Sequence, residues 1–149
     1  MTTIDQGLAA ELVEQAPDAV IYADMEGKVR LWNPAAADMF GYSADEAIGQ
    51  SLDIIVPEQF RDAHWKGYER ATAAGITKYK GQSLPTRAMK ANGDTFYVEL
   101  SFAIVLDAAG KAIGALAHAR DITERFETDR ANRRRLRELE EQVKGVRSA

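Results

Sequence analysis

Cysteine is absent from this chain of 149 residues. Without a thiol the chain can form no disulfide, no thiolate zinc site and no cysteine nucleophile. Histidine is almost as scarce, since only His64 and His118 occur and they lie far apart in the chain. The sequence also lacks a phosphate-binding glycine loop, an HExxH motif and a recognisable pair of nucleophile and base. These absences argue against an enzyme.

Long hydrophobic runs are missing as well. No stretch approaches the roughly 18 apolar residues that a membrane span needs, and residues 1–17 have neither the basic start nor the apolar middle of a signal peptide. The net charge of −4 gives no general reason to expect nucleic-acid binding. Arginines are concentrated between 130 and 137, but acidic residues follow at helical spacing, which is typical of a solvated helix face. We therefore expect a cytoplasmic protein that binds neither membranes nor nucleic acids.

Hydrophobic periodicity and turn residues divide the chain into helices and strands. Leu8 and Leu12 lie one helical turn apart after Asp5, a capping residue, which predicts an N-terminal amphipathic helix. Ser43 and Glu46 match a capping box at the start of a short helix. The predicted helices cover 6–15, 34–40, 44–49 and 57–74; the predicted strands cover 19–24, 28–33, 78–89, 95–106 and 112–121; the apolar run 52–56 is too short to classify.

The order of these elements predicts an α+β fold. The links within 24–28, 90–94 and 107–111 contain glycine with acidic or amide residues, as hairpin turns require. Only the connection between the second and third strands is a long helical crossover. The sequence therefore predicts a five-stranded antiparallel sheet with short helices on one face.

The C-terminal segment reads as a helix that pairs with another helix. Its apolar residues follow the three-four-three spacing of a coiled-coil seam: Leu136, Leu139, Val143 and Val146. Asp129 and Asn132 occupy the preceding seam positions, so pairing there should be loose. We divide the chain into an N-terminal flanking helix (1–17), a globular domain (18–122) and a C-terminal signalling and dimerisation helix (123–149).

Four stretches of the chain resemble the PAS domain family, and together they span roughly residues 10 to 125. They are PDAVIYADMEGKVRLWNPAAADMFGYSADEAIGQ, the helix IVPEQFRDAHWKGYERA, the turn KANGD and the closing GALAHARDITER. The resemblance implies a sheet curved over a pocket enclosed by the short helices. It also implies a flanking helix that passes a signal to a kinase, cyclase, chemoreceptor or transcription module. Family members bind heme, flavin, small organic acids or nothing, so the fold does not decide the ligand.

Heme is the leading candidate that the resemblance offers, because flavin photochemistry needs the cysteine that this chain lacks. The helix around His64 resembles the one that supplies the proximal histidine in oxygen-sensing heme PAS domains, and Arg70 corresponds to an arginine that pairs with a heme propionate. A neutral imidazole is a good iron ligand and leaves the opposite position open for a gas. On that opposite side the sequence offers an apolar wall, which suits nitric oxide or carbon monoxide better than dioxygen: Leu84, Leu100 and Phe102, with Gln82 two residues before the first.

Other interpretations of these residues stay open. His64 can instead be a partly buried structural histidine, and Trp65 and Tyr68 can either line a pocket or close the helix against the sheet. The chain as a whole can be a ligand-free scaffold that mediates dimerisation through its sheet and N-terminal helix, or it can hold a colourless metabolite or fatty acid. In each case we expect a homodimer, and either a fragment of a larger receptor or a small adaptor.

Overall fold

The computed structural model describes residues 3–77 and 84–148 and confirms the α+β class. The five helices are α1 (Gln6–Glu14), α2 (Pro34–Phe40), α3 (Ala44–Ala47), α4 (Arg61–Ala74) and α5 (Thr123–Ser148), and the strands are β1 (Ala19–Asp24), β2 (Val29–Trp32), β3 (Leu84–Met89), β4 (Thr95–Leu106) and β5 (Ala112–Asp121). These strands form one antiparallel sheet in the order β2-β1-β5-β4-β3. Residues 78–83 of the predicted third strand lie outside the described residues.

Local sequence explains most of the helix ends. The Asp5 carboxylate accepts a hydrogen bond from the Gly7 amide at 2.7 Å and caps α1. At the start of α3, the Glu46 amide donates to the Ser43 hydroxyl at 3.1 Å and the Ser43 amide donates to the Glu46 carboxylate at 2.9 Å, so the capping box is confirmed. Gly75, at φ 71°, ends α4 in the left-handed region that glycine favours.

One helix boundary predicted from the sequence is wrong. The helix predicted to begin at Pro57 begins at Arg61, after a 3₁₀ turn over Glu58–Phe60. Pro57 itself has an extended ψ of 143°, and the Phe60 amide donates to its carbonyl at 2.9 Å, which is the tighter three-residue pattern. The unclassified apolar run is also a 3₁₀ turn, over Leu52–Ile55.

One face of the sheet carries the core and is covered by the short helices. Phe96 and Val98 of β4 point to this face and are buried. Alternation along the strand then places Leu100 and Phe102 on the same face. The apolar core also draws on both strands of the first hairpin and on α2 and α3: Ala19, Ile21, Ala23, Val29, Trp32, Ala36, Phe40 and Ala47.

Asn33 is a buried polar residue that joins three elements. Its side-chain oxygen accepts hydrogen bonds from the amides of Val20 at 2.9 Å and Ala36 at 3.0 Å. Its side-chain amide donates to the carbonyls of Val13 at 3.0 Å and Asp18 at 3.1 Å. Because a buried amide side chain is stable only when its hydrogen bonds are made, this arrangement fixes α2 against β1 and the end of α1.

Candidate functional site

The side of α4 that faces the protein carries three of the four site residues predicted on this helix, and Arg70 is the exception. His64, Trp65 and Tyr68 lie within one helical turn and are half-buried, and Thr72 follows on the same side and is buried. Residues one, three or four positions apart lie on the same side of an α-helix, so these side chains form a single packed face. The helix packs against β5, so this face looks toward the core side of the sheet.

Trp65 attaches α4 to the hairpin between β1 and β2. Its indole N–H donates to the Asp53 carboxylate at 2.7 Å. Its ring lies against Gly27, which has a φ of 76°, and a Cβ added at that glycine would lie 2.1 Å from the ring. The contact therefore depends on glycine at the turn.

Tyr68 makes a second attachment to the same hairpin. Its hydroxyl donates to the Asp24 carbonyl at 2.5 Å. Burial, with the charge of Asp24 adding to it, raises the pKa of Tyr68 to about 12. The polar atoms of Trp65 and Tyr68 thus both bond to protein, and the geometry favours the interpretation in which these residues close the helix against the sheet.

His64 lies beside these two rings and differs from them in its hydrogen bonding. Its ring centre is 4.7 Å from that of Trp65 and 6.0 Å from that of Tyr68. Its Nδ1 is buried and has no hydrogen-bond partner among the described residues. Burial lowers the pKa of His64, while the negative charge of Asp53 acts in the opposite direction. The imidazole is therefore neutral near pH 7, the form that binds metals.

The apolar wall predicted from the sequence does form one surface on the sheet. Leu84 on β3 pairs directly with Leu100 on β4, and Phe102 follows on the same face opposite Ala117 of β5. The side chains of Leu84, Leu100 and Phe102 are half-buried. The residues of β5 on the same face have short side chains that end at Cβ: Ala115, Ala117 and Ala119. None of these side chains can donate a hydrogen bond. Gln82 lies outside the described residues.

Arg70 is placed apart from this group. It lies on the exposed side of α4, and its Nε donates to the Lys66 carbonyl at 3.4 Å. It lies six positions after His64, about 1.7 helical turns, so the two side chains leave α4 in different directions. Its predicted pairing with a propionate therefore needs a group that reaches the solvent edge of the site.

Two features of the site region were missed in the sequence. The first is Asp53, which holds Trp65 and whose charge acts on His64. It is the single acid in the apolar run LDIIV, and that isolation was the available signal.

The second missed feature is the junction between the sheet and α5. The Ile122 amide donates to the Tyr97 carbonyl at 2.9 Å, and the Tyr97 amide donates to the Thr123 hydroxyl at 3.1 Å. The Phe126 ring stacks on the Tyr97 ring with centres 3.9 Å apart. Tyr97 lies between Phe96 and Val98 in β4, so it points to the opposite face of the sheet from the core. No sequence motif signals a stack between residues so distant in the chain.

Metal-binding clusters and membrane-spanning helices are both absent from the described residues. Within 3–77 and 84–148, no three side chains of histidine, aspartate or glutamate are grouped so that they could hold a metal ion. None of the helices in the same part of the chain combines the length and the apolar character needed to cross a bilayer.

Comparison with known proteins places these features in context. The family described as PAS fold matches residues 13–127. The sensor protein FixL of Bradyrhizobium diazoefficiens is 30% identical over 132 residues, which covers 89% of this chain and 25% of that protein. The oxygen sensor protein DosP of Escherichia coli is 27% identical over 115 residues, covering 77% of this chain and 14% of that protein. This chain therefore spans a quarter or less of the length of both relatives.

The fold is also shared with solved structures. A PAS domain of a protein from Colwellia psychrerythraea superposes with a TM-score of 0.69 at 22% sequence identity. The match covers 79% of this chain and 97% of that domain. At this level of identity the likeness concerns the fold alone.

Proposed function

This chain belongs to the PAS family of sensory modules, and we propose that it senses a diatomic gas through a heme bound at His64 and passes the signal on through α5. The observation that carries the proposal is the buried Nδ1 of His64, which has no hydrogen-bond partner among the described residues. A buried polar atom without a partner is costly, and in native proteins it points to a bound water, ion or other group or to a functional role. The similarity to an oxygen sensor points to the same class of signal.

The residues present fit a heme in three respects. The neutral imidazole of His64 would supply a ligand for the iron. The half-buried side chains of Leu84, Leu100 and Phe102 would give a bound gas apolar surroundings, and because they donate no hydrogen bond they would favour nitric oxide or carbon monoxide over dioxygen. The exposed guanidinium of Arg70 is available to pair with a propionate at the solvent edge. When bound, the heme supplies the gas-binding iron and a visible absorption band.

The signal would leave the site through β4. Leu100 and Phe102 face the site, and Tyr97 on the other face of the same strand holds the first turn of α5. A ligand that shifts β4 would therefore act on the Tyr97–Phe126 stack. This stack could be formed or broken, and the ligand would favour one of these two states. We propose that α5 then acts on a second copy of the chain and on a kinase, cyclase, chemoreceptor or transcription module, and that the chain itself catalyses no reaction.

Absorption spectroscopy of the purified protein titrated with hemin tests the heme proposal. We expect a Soret band that saturates at one hemin per chain, is lost in His64→Ala and persists in the matched control His118→Ala, whose histidine is exposed on β5. Arg70→Ala should weaken hemin binding by no more than about fivefold, since exposed ion pairs contribute at most about 1 kcal/mol. Wild-type protein that stays colourless with hemin would overturn the proposal.

A second candidate function, a ligand-free scaffold, is favoured by a different observation. In α1 no residue is buried, Leu8 and Leu12 are exposed one helical turn apart, and Ile4 just before the helix is exposed as well. Exposed apolar side chains grouped in this way fit association with another protein surface. A colourless protein whose dimer dissociates in Leu8→Asp would support this function in place of the first.

A further inference from the structure

The outer face of the sheet, opposite the core, carries arginines that are paired with carboxylates and one that is not. Arg120 of β5 bonds Asp18 at 2.9 Å, and Arg125 near the start of α5 bonds Glu99 at 2.6 Å. Arg87 of β3 forms no ion pair with any residue within 3–77 and 84–148. An exposed guanidinium is stable in water without a carboxylate, so its meaning depends on the groups that surround it.

Arg87 bonds the hydroxyl of Tyr97, the residue directly opposite it on β4. Its Nη2 donates to the hydroxyl oxygen at 2.9 Å, and its Cζ lies 5.4 Å from the centre of the ring. The hydroxyl oxygen is therefore the acceptor in this contact, and its own proton has no acceptor among the described residues. Tyr97 thus offers a free O–H donor beside a positive charge.

A second guanidinium approaches the same hydroxyl from α5. The Phe126 ring stacks on the Tyr97 ring at 3.9 Å, and Arg130 follows Phe126 by one helical turn on the same side of α5. The hydrogen bond from Arg87 lowers the pKa of the Tyr97 hydroxyl, and the charges of Arg87 and Arg130 act in the same direction. Arg130 is exposed, and in the described part of the chain no carboxylate pairs with it, not even Glu127 three residues before it.

We propose that Arg87, Arg130 and the Tyr97 hydroxyl form a binding site for a phosphoryl group, supplied either as free phosphate or on a phosphorylated side chain of a partner protein. Guanidinium groups bind phosphate oxygens through two parallel N–H bonds. A phosphoryl group has enough oxygens for both arginines and the hydroxyl, whereas one arginine alone fills the two oxygens of a carboxylate. The site lies on the opposite face of the sheet from His64, so it goes beyond the proposed function and does not depend on a heme.

A bound phosphoryl group bridges the edge strand and the exit helix. Arg87 belongs to β3 and Arg130 to the second turn of α5, and the Tyr97–Phe126 stack lies between them. The negative charge also offsets the repulsion between the two guanidinium groups. Phosphate therefore favours the state in which the first turns of α5 stay on the sheet, which gives α5 a second input.

Titration of the ¹⁵N-labelled full chain with sodium phosphate at constant ionic strength tests the site, because constant ionic strength removes general screening. We expect saturable shifts of the Arg87 and Arg130 Nε–H signals in NMR spectra. Half-saturation should occur at roughly 1 mM phosphate, the order expected for an exposed site with few contacts. A lack of saturable shifts up to about 50 mM phosphate would overturn the proposal.

Charge removal shows whether the two arginines act together. Arg87→Gln and Arg130→Gln should each weaken phosphate binding about fivefold, since each removes a charge-assisted hydrogen bond from an exposed site. Arg137→Gln is the matched control, because it removes the same charge from α5 about 10 Å further along the helix. We expect this control to change the affinity less than about twofold. Equal losses in the three variants would mean that phosphate follows only the general charge of α5, and the proposal would be wrong.

A pentapeptide with one phosphoserine among alanines distinguishes the two sources of the phosphoryl group. If it binds as tightly as inorganic phosphate, the site admits a phosphorylated side chain; if only inorganic phosphate binds, the ligand is the free ion. Equal binding of the unphosphorylated peptide would contradict the proposal.

Hydrogen–deuterium exchange tests the bridge. At about ten times its half-saturating concentration, phosphate should slow the exchange of amides 123–130 about tenfold, because it binds only the docked state of α5. Arg87→Gln, on a different element, should remove most of this effect. If phosphate binds the wild-type chain without slowing these amides, the bridge between β3 and α5 is wrong. All of these measurements use protein without hemin, so the heme proposal is tested separately.

Discussion

His64 is one of only two histidines in the chain, and its ring lies beside two aromatic neighbours with one nitrogen unbonded among the described residues. A structural histidine in such a place would be expected to bond a carbonyl or a carboxylate. Asp53 is near enough to influence the ring through its charge, yet its carboxylate accepts the Trp65 N–H. The cost of the unbonded nitrogen suggests that stability without a ligand was not what selected this residue.

Replacing His64 should therefore stabilise the ligand-free protein. We expect His64→Leu to raise the free energy of unfolding at pH 7.5 by about 1 kcal/mol, because the variant removes an unsatisfied buried nitrogen. Because burial lowers the pKa of His64 in the folded state, the unfolded chain takes up the proton first as the pH falls below about 6.5. The free energy of unfolding of the wild type thus declines as the pH falls from 7 to the lower pKa of folded His64. The variant has no histidine at this position and lacks this decline.

Urea unfolding at pH 7.5, 6.5 and 5.5 measures this difference. The stability gap between His64→Leu and wild type should widen as the pH falls. A gap that stays constant over this range would show that His64 does not titrate differently in the folded and unfolded states.

Among the elements, α4 is held in place by contacts with the hairpin between β1 and β2. Trp65 lies on Gly27, and Tyr68 bonds the Asp24 carbonyl, so both attachments end on one turn. The orientation of His64 depends on them, since all three side chains share one face of the helix. A change in the hairpin turn should consequently change the orientation of His64.

Gly27→Ala tests this attachment, with Gly93→Ala as its matched control. Both glycines have positive φ, 76° and 89°, so alanine at either costs about 1–2 kcal/mol of backbone strain. Only at Gly27 would the new Cβ meet the Trp65 ring; at Gly93 nothing lies within 4 Å. We expect Gly27→Ala to lose about 1–3 kcal/mol more than Gly93→Ala in urea unfolding. Equal losses would mean that the Trp65 contact contributes nothing.

Over the whole molecule, one strand connects the proposed site to the exit helix. The core face of β4 carries Leu100 and Phe102, and its outer face carries Tyr97 and Glu99. Glu99 bonds the Arg125 guanidinium at 2.6 Å, one residue before the Phe126 stack. The start of α5 is thus fixed to the back of the strand that forms the wall of the site.

Hydrogen–deuterium exchange should detect this connection. We expect hemin to change the exchange of amides 123–130, and Phe126→Ala to speed their exchange about fivefold and to remove the response to hemin. The fivefold figure corresponds to about 1 kcal/mol for an aromatic pair. Glu127→Ala, at the next and exposed position, is the control and should keep the response. If Phe126→Ala also responds like the wild type, the signal does not pass through this stack.

The amino-acid sequence determined the features that depend on neighbours within a few residues. Capping side chains, turn glycines and alternating apolar residues act locally, so they predicted the strands, most helix ends and, through strand order and connections, the antiparallel sheet. Alternation also placed Leu100 and Phe102 on one face, whereas Leu84 was assigned to it only through the family resemblance. It failed at Pro57, where a 3₁₀ turn and a helix have nearly the same local signals.

Only the tertiary structure decided which polar atoms find partners, because those partners come from distant parts of the chain. The sequence singled out His64 as a candidate ligand and left open whether Trp65 and Tyr68 line a pocket or close the helix, but it showed the bonding partner of none of the three. Folding brings Asp53 to Trp65 and the Asp24 carbonyl to Tyr68, and it leaves one nitrogen of His64 without a partner among the described residues. The stack of Tyr97 on Phe126 has the same origin, since it joins segments that become neighbours only when the sheet is complete.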